Sequence, residues 1–373
     1  MNGRADNGRT DNGRTVGRRP RETGGAVDFG YTGGTVRLGR VLALRWRLRT
    51  SVVCAVLAVL TLAVTAWALA SGDYPLTPGQ VWAALLDNPE AGFARTVVVE
   101  WRLPRALAAV LFGAALGAAG AVCQSLTRNP LASPDIIGFT TGSHTGALVV
   151  IVLVHGGYLQ IAVGALLGGV ATAAVVYLVA WRGGTRTFRL VVVGIAVSAM
   201  LASFNTWLML TAELETAMSA RAWGAGSLAG TDGERVALGG LAALVLLGVL
   251  AALNPRLRQL ELGDDAARAT GVRAEPARLT LMVTGVALIA TVTAAAGPIT
   301  FIALAAPQIA RRLARTPGVA VGPAALTGAF LLAAADHTAQ SLLPVALPVG
   351  VVTVVVGGSY LIWLIVRELR RRP

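Results

Sequence analysis

Lysine is missing from this chain: all 32 of its basic side chains are arginines. A phosphate-binding P-loop needs the lysine of Gly-x-x-x-x-Gly-Lys-Ser/Thr to reach the terminal phosphates, so ATP hydrolysis by that route is excluded. Any ATPase is a separate chain. Cysteine is scarce as well, and Cys54 and Cys123 both lie inside apolar runs, where buried small hydrophobes are expected rather than a disulfide or a thiolate metal site. The histidines, His144, His155 and His337, are too dispersed to argue a metal centre. No nucleophile, base and orienting group stand together, so catalysis is not indicated. Charge is sparse too: 14% of residues are charged against 55% hydrophobic, with a mean hydropathy of +0.66. Such values belong to polytopic membrane proteins. The net charge of +13 would suit nucleic acid, but the arginines cap apolar runs instead of forming a soluble basic patch.

What is present divides the chain in two. Residues 1–50 are poor in apolar side chains and repeat Asn-Gly-Arg from Asn2, Asn7 and Asn12, which predicts a disordered basic cytoplasmic tail. Residues 51–373 read as the transmembrane domain. Its first apolar run, 52–70, exceeds the ~7 to 15 residues of a signal-peptide core and follows too long a basic region, so it is read as a span. Further spans are expected at 106–123, 138–154, 159–181, 190–210, 236–253, 279–296, 301–313, 322–341 and 349–366, which makes about ten transmembrane helices in an all-α membrane protein. The less apolar segment 212–226 is expected as a partial helix outside the membrane.

Arginine-rich loops stay in the cytoplasm. With the N-terminus inside, ten spans leave 27 of the 32 arginines on the inner side and both termini cytoplasmic. Arg95, Arg102, Arg105, Arg221 and Arg235 fall outside. The expected location is the cytoplasmic membrane.

Four stretches stand out for function. The polar island 254–278 holds Gly263, Asp264, Asp265, Ala266, Ala267 and Gly271: carboxylates in a first turn, alanines in the middle and a terminating glycine, the pattern of a short helix. It reads either as a docking element for a soluble partner or as a solvated loop. Asn129, Pro130, Pro134 and Gly138 break the chain after the second span, lining a translocation path or forming a plain turn. Asp336 is the one acid placed within a span, either functional or locking neighbouring helices. Arg102 and Arg105 bracket Pro104 at the outer start of the second span, reading as a docking pair for a partner's carboxylates or as membrane anchors. Gly113, Gly117 and Gly120, with Gly164, Gly168 and Gly169, form small-residue faces for close helix packing.

The runs WRLPRALAAVLFGAALGAAGAVCQSLTRNPLASPDIIGFTTG, ELGDDAARATGV, AGPITFIALAAPQIAR and LPVGVVTVVVGGSYLIWLI resemble the permease family of iron-siderophore and vitamin B12 ABC importers, over nearly everything from Val52 onward. The resemblance implies a type II ABC importer permease fold that pairs with a second permease, two cytoplasmic ATPase subunits and an extracytoplasmic siderophore-binding protein. By position, Gly263 to Ala267 and Gly271 fall in the element that docks on the ATPase, and Arg102 and Arg105 in the surface that meets the binding protein. ATP and magnesium belong to the ATPase, and no cofactor is expected on this chain. The implied cargo is an iron-siderophore complex, an enterobactin-like catecholate favoured, with vitamin B12 or heme as the alternative and a secondary transporter further behind. The vitamin B12 permease carries a docking arginine four residues after its span-nine aspartate; here Gln340 stands in that place, which favours a heterodimer.

Overall fold

The computed structural model describes residues 33–38, 42–134, 138–180, 187–318, 320–342 and 345–370. Gly33–Leu38 (β1) and Leu42–Arg47 (β2) pair as an antiparallel hairpin, with Val36 opposite Leu44 and Gly34 opposite Trp46. This differs from the disorder expected throughout 1–50. Thr35, Val36 and Trp46 are side chains that suit a pleated surface, a local preference that the low apolar content of the whole tail hides. Residues 1–32 lie outside the described residues. The hairpin belongs to its own compact unit, and the second unit runs from Arg49 to the C-terminus.

Each of the ten expected spans corresponds to one helical segment. They are α1 (Leu48–Ala70), α4 (Leu103–Thr127), α5 (Phe139–Val149), α6 (Tyr158–Ala180), α7 (Thr187–Thr211), α9 (Gly233–Glu261), α11 (Ala274–Ala296), α12 (Ile302–Ala314), α13 (Val321–Ser341) and α14 (Val349–Leu369). Between them come the short α2 (Pro78–Leu85), α3 (Phe93–Arg95), α8 (Leu214–Gly224) and α10 (Asp264–Ala269). Among the described residues, six segments are long and apolar enough to cross a membrane by themselves: α1, the run Phe93–Thr127, α6, α7, α9 and α11. The apolar stretches Phe139–Val154 and Val349–Leu364 are shorter.

Two boundaries differ from the expected ones. Pro104 does not open its helix, because α3 passes into a π turn over Thr96–Arg102 and then directly into α4. Proline lacks an N–H, so one i→i−4 bond is lost in any case, and a wider turn ahead of it absorbs the break. Similarly, α9 continues beyond residue 253 through Pro255 to Glu261, so the first part of the polar island extends the span as helix.

Helices in lipid gain nothing from hiding apolar surface from one another, so their association rests on close van der Waals contact and interhelical hydrogen bonds. The chain concentrates that contact on α4. Residues Ala106 to Gln124 of α4 are mostly buried, and the main core gathers α4, α9, α11, α12 and α13. Conversely, α1 and α7 leave Val52, Val59, Leu62, Met200 and Leu210 exposed, as lipid-facing helices do. The closest approaches are backbone to backbone. A Cβ at Gly113 would meet the carbonyl of Gly328, one at Gly117 that of Ala324, and one at Gly120 that of Ala303. On the other side of the molecule, Gly142 and Gly146 of α5 face Gly164 and Gly168 of α6 in the same way.

Gly117→Leu should therefore destabilise the detergent-solubilised protein by about 1–3 kcal/mol or more, because a backbone carbonyl cannot move aside as a side chain would. Gly248 on α9 has open space around its Cα, so Gly248→Leu should leave the melting temperature unchanged. Equal melting of the two variants would contradict the packing account.

Candidate functional site

The last turn of α9 leads through Gly263, whose φ of 116° only glycine adopts without strain, into α10. Asp264 opens that helix and anchors it. Its Oδ1 accepts from Arg278 Nη2 at 2.8 Å and from Arg128 Nη2 at 3.3 Å, and Arg278 also donates to Glu275 at 3.0 Å. The helix ends in a Schellman arrangement: Gly271 N–H donates to the Arg268 carbonyl and Val272 N–H to that of Ala267, with φ of 85° at Gly271. Ala267 is fully buried against the core, so the helix is rooted on one side. Its other side presents Asp265, Ala266, Ala269 and Gly271 to solvent, beside Leu262 at 75% exposure. A small-residue face with an exposed leucine and a carboxylate suits seating in a partner's cleft. The helix begins at Asp264.

The break after α4 is a compact turn. Arg128 caps α4 in the left-handed region at φ 50°, Asn129 Oδ1 accepts from Leu131 N–H at 2.9 Å, and Asn129 O accepts from Ala132 N–H. Pro130 offers its carbonyl to Gln308 Nε2 at 2.7 Å. Pro134 lines a small apolar cavity with Phe139 and Val286. Gly138 packs against Ser198 with φ 94° and precedes α5. Asp135 to Ile137 lie outside the described residues. The glycine-rich stretch beyond them is regular helix, with Gly142 used for contact with α6.

The N-terminal end of α4 brings together residues that sequence reasoning assigned to separate roles. Arg105 Nε lies 3.2 and 3.0 Å from the two carboxylate oxygens of Asp336, and its Nη2 donates to Oδ1 at 2.9 Å. Gln340 Nε2 adds a bond to Asp336 Oδ2 at 2.7 Å. The side chains of Arg105 and Asp336 are only 18% and 7% exposed. Arg105 thus pairs with Asp336 within the protein, as a carboxylate at membrane depth needs a counterion and Arg105 stands within reach. Arg102 turns back toward the end of α1, donating to the carbonyl of Leu69 in its last turn at 2.9 Å and to that of Tyr74 in the loop that follows at 2.7 Å. Tyr74, Phe93 and Trp101 stack edge to face beside it, an arrangement typical of a membrane boundary. Between these elements opens a cavity of about 370 Å³ lined by Glu100, Trp101, Arg102, Arg105, Asp232 and Asp336. Its lining carries both signs of charge beside apolar groups such as Ala68, Ala106 and Leu228.

Sequence reasoning passed over Gln124, Ser125, Arg128 and Gln308. Their signal was available: an amide within an otherwise apolar helix has to find a partner, and two such amides sit at the same inner depth of α4 and α12.

A match to the FecCD transport family model spans residues 59–367. The chain is similar to the ferric enterobactin transport system permease protein FepG of Escherichia coli K12, at 49% identity over 87% of this chain and 98% of that one. It is also similar to the achromobactin transport system permease protein CbrC of Dickeya dadantii, at 37% identity over 83% and 90% of the two chains. Among solved structures it matches a chain from an inward-facing conformation of a transporter assigned to the metal-chelate ABC type, with a TM-score of 0.74 and 26% identity, covering 85% of this chain and 99% of that one. The chain belongs to the FecCD transport family.

Proposed function

We propose that this chain is a permease subunit of an ATP-driven importer that moves a ferric siderophore of the catecholate class across the cytoplasmic membrane by alternating access. The observation that carries this reading is the 49% identity, nearly end to end, with the permease of a ferric enterobactin system. The chain itself is no enzyme; ATP hydrolysis belongs to separate subunits, and the absence of lysine agrees with that division. A second, non-identical permease completes the path, two ATPases bind from the cytoplasm, and an extracytoplasmic binding protein delivers the cargo. Gln340, in a position where a homodimeric relative would offer an arginine, supports the heterodimer. A proton-driven carrier working through Asp336 is disfavoured, since Arg105 and Gln340 already occupy both carboxylate oxygens.

Transport is then linkage rather than chemistry. ATP and binding protein drive the cycle only through their differential affinity for outward- and inward-facing states. The exposed face of α10 seats in the ATPase, with Asp264 and Ala267 holding the helix from behind. Ala266→Arg should abolish ATP-dependent uptake while membrane abundance and melting temperature stay at the parent's values, because residue 266 is exposed in the free subunit. Normal uptake by this variant would refute the docking role of α10. Gly271 is the less informative position, as its φ of 85° strains any side chain regardless of the partner.

On the outer side, Arg102 and Arg105, with Glu100 and Trp101, form the surface that receives the binding protein, whose carboxylates compete for guanidinium groups with internal acceptors. Arg105→Glu would set two carboxylates against each other, so Arg102→Glu is the variant to use. It should slow association of the binding protein with the reconstituted complex, most at low ionic strength. An on-rate and salt dependence both unchanged would reduce Arg102 to the cap of α1.

A further inference from the structure

At the C-terminal end of α4, Gln124, Ser125 and the cap residue Arg128 bond between them to α12, α9 and α10. Gln124 Nε2 donates to the carbonyl of Leu304 on α12 at 3.0 Å. Ser125 Oγ donates to Glu261 Oε1 at the end of α9 at 2.8 Å. Arg128 donates to the Leu260 carbonyl and to Asp264 Oδ1, both at 3.3 Å. From the opposite side Gln308 Nε2 donates to Gln124 Oε1 and to the Pro130 carbonyl, each at 2.7 Å, while its Oε1 accepts from Arg311 Nη2 at 3.3 Å. Gln124 and Gln308 are each 2% exposed.

Holding helices together does not call for this network. Leucine of similar volume would pack α4 on α12, and the glycines above already bring their backbones into contact. A buried amide pair has a different property: it is fully bonded at one relative placement of its helices and leaves unpaired polar atoms at any other. Here the placement involves three bodies. The chain of contacts runs from α10 through Asp264 to Arg128, along the turn to Pro130, through Gln308 into α12, and back through Gln124 into α4. Apart from the covalent turn, every link is a directional hydrogen bond or ion pair.

We infer that the Gln124 and Gln308 amides, bonded to each other and tied through Gln308 to the Pro130 carbonyl, are the joint that makes α12 and the C-terminal end of α4 move with the ATPase-docking helix α10. Both are positioning residues for coupling, and the inference rests on the functional reading above. Without the clasp, α10 follows the ATPase while α12 lags, and hydrolysis is spent without transport.

The test uses the whole importer in proteoliposomes: this chain with its partner permease, ATPase and binding protein. Cargo moved and ATP hydrolysed are measured in one preparation for the parent, Gln308→Leu, Gln124→Leu and the double variant. Coupling effects of this kind correspond to about 5- to 150-fold, so Gln308→Leu should lower cargo per ATP by at least about fivefold, with hydrolysis near the parent's rate. The double variant should be no worse than either single one, since each removes the same clasp. A lowered melting temperature with unchanged cargo per ATP would overturn the inference and leave the pair a packing device. If the parent itself shows no ATP-linked uptake, the functional reading falls and the joint falls with it.

A second measurement is independent of turnover. Spin labels on Ala269→Cys in α10 and Leu313→Cys in α12, both exposed positions, are placed in chains with Cys54→Ala and Cys123→Ala. Their separation should stay constant between nucleotide-free and ATP-bound complexes, and should change on ATP binding when Gln308→Leu is added. A separation that responds to ATP identically with and without Gln308→Leu overturns the joint.

Discussion

Close approach of α4 to its neighbours is the constraint on which the rest of this structure depends. Because lipid is as apolar as leucine, nothing but contact and hydrogen bonding holds one membrane helix to another. Gly113, Gly117 and Gly120 let carbonyls of α12 and α13 sit directly on the α4 backbone. That proximity decides what else can exist. Only helices this near can share a bidentate Arg105–Asp336 pair at one end and a Gln124–Gln308 pair at the other. Small residues along the middle of α4 and polar residues at its two ends are therefore parts of one arrangement.

The two ends differ in kind. The outer pair neutralises a charge: Asp336 without Arg105 would be an uncompensated carboxylate in an apolar setting, a loss of about 3–5 kcal/mol. The inner pair is neutral and directional, and it continues through the Pro130 turn and Arg128 to an exposed helix whose face is built of small residues. A charged lock at one end of α4 and a neutral network at the other divide the work between the two ends. Arg102 extends the lock, fixed to the Leu69 carbonyl at the end of α1 and to that of Tyr74 in the loop after it.

Much of this was legible in the sequence, for identifiable reasons. An apolar run of about twenty residues has few alternatives to spanning a bilayer, so the ten helices could be read directly. The helix at Asp264–Ala269 announced itself through first-turn carboxylates and the glycine that follows. Pairings across the chain were harder. Asp336 lies 231 residues from Arg105, and Gln308 lies 184 from Gln124, separations that no local periodicity encodes. Span parity held a clue, since it places both Arg105 and Asp336 near the outer ends of their helices. A lone intramembrane acid and an arginine at the same depth are natural partners. The hairpin over 33–47 was hidden because the composition of the whole tail outweighed the strand preference of a few of its residues.

The central claim is that this chain conducts a ferric catecholate under the control of a separate ATPase. The most direct measurement is accumulation of radioiron, presented as a ferric catecholate on its binding protein, in proteoliposomes holding this chain, its partner permease and the ATPase. The account predicts accumulation against a gradient only with ATP and magnesium on the ATPase side, unaffected by a proton ionophore. Accumulation driven by a proton gradient in vesicles lacking the ATPase would contradict it.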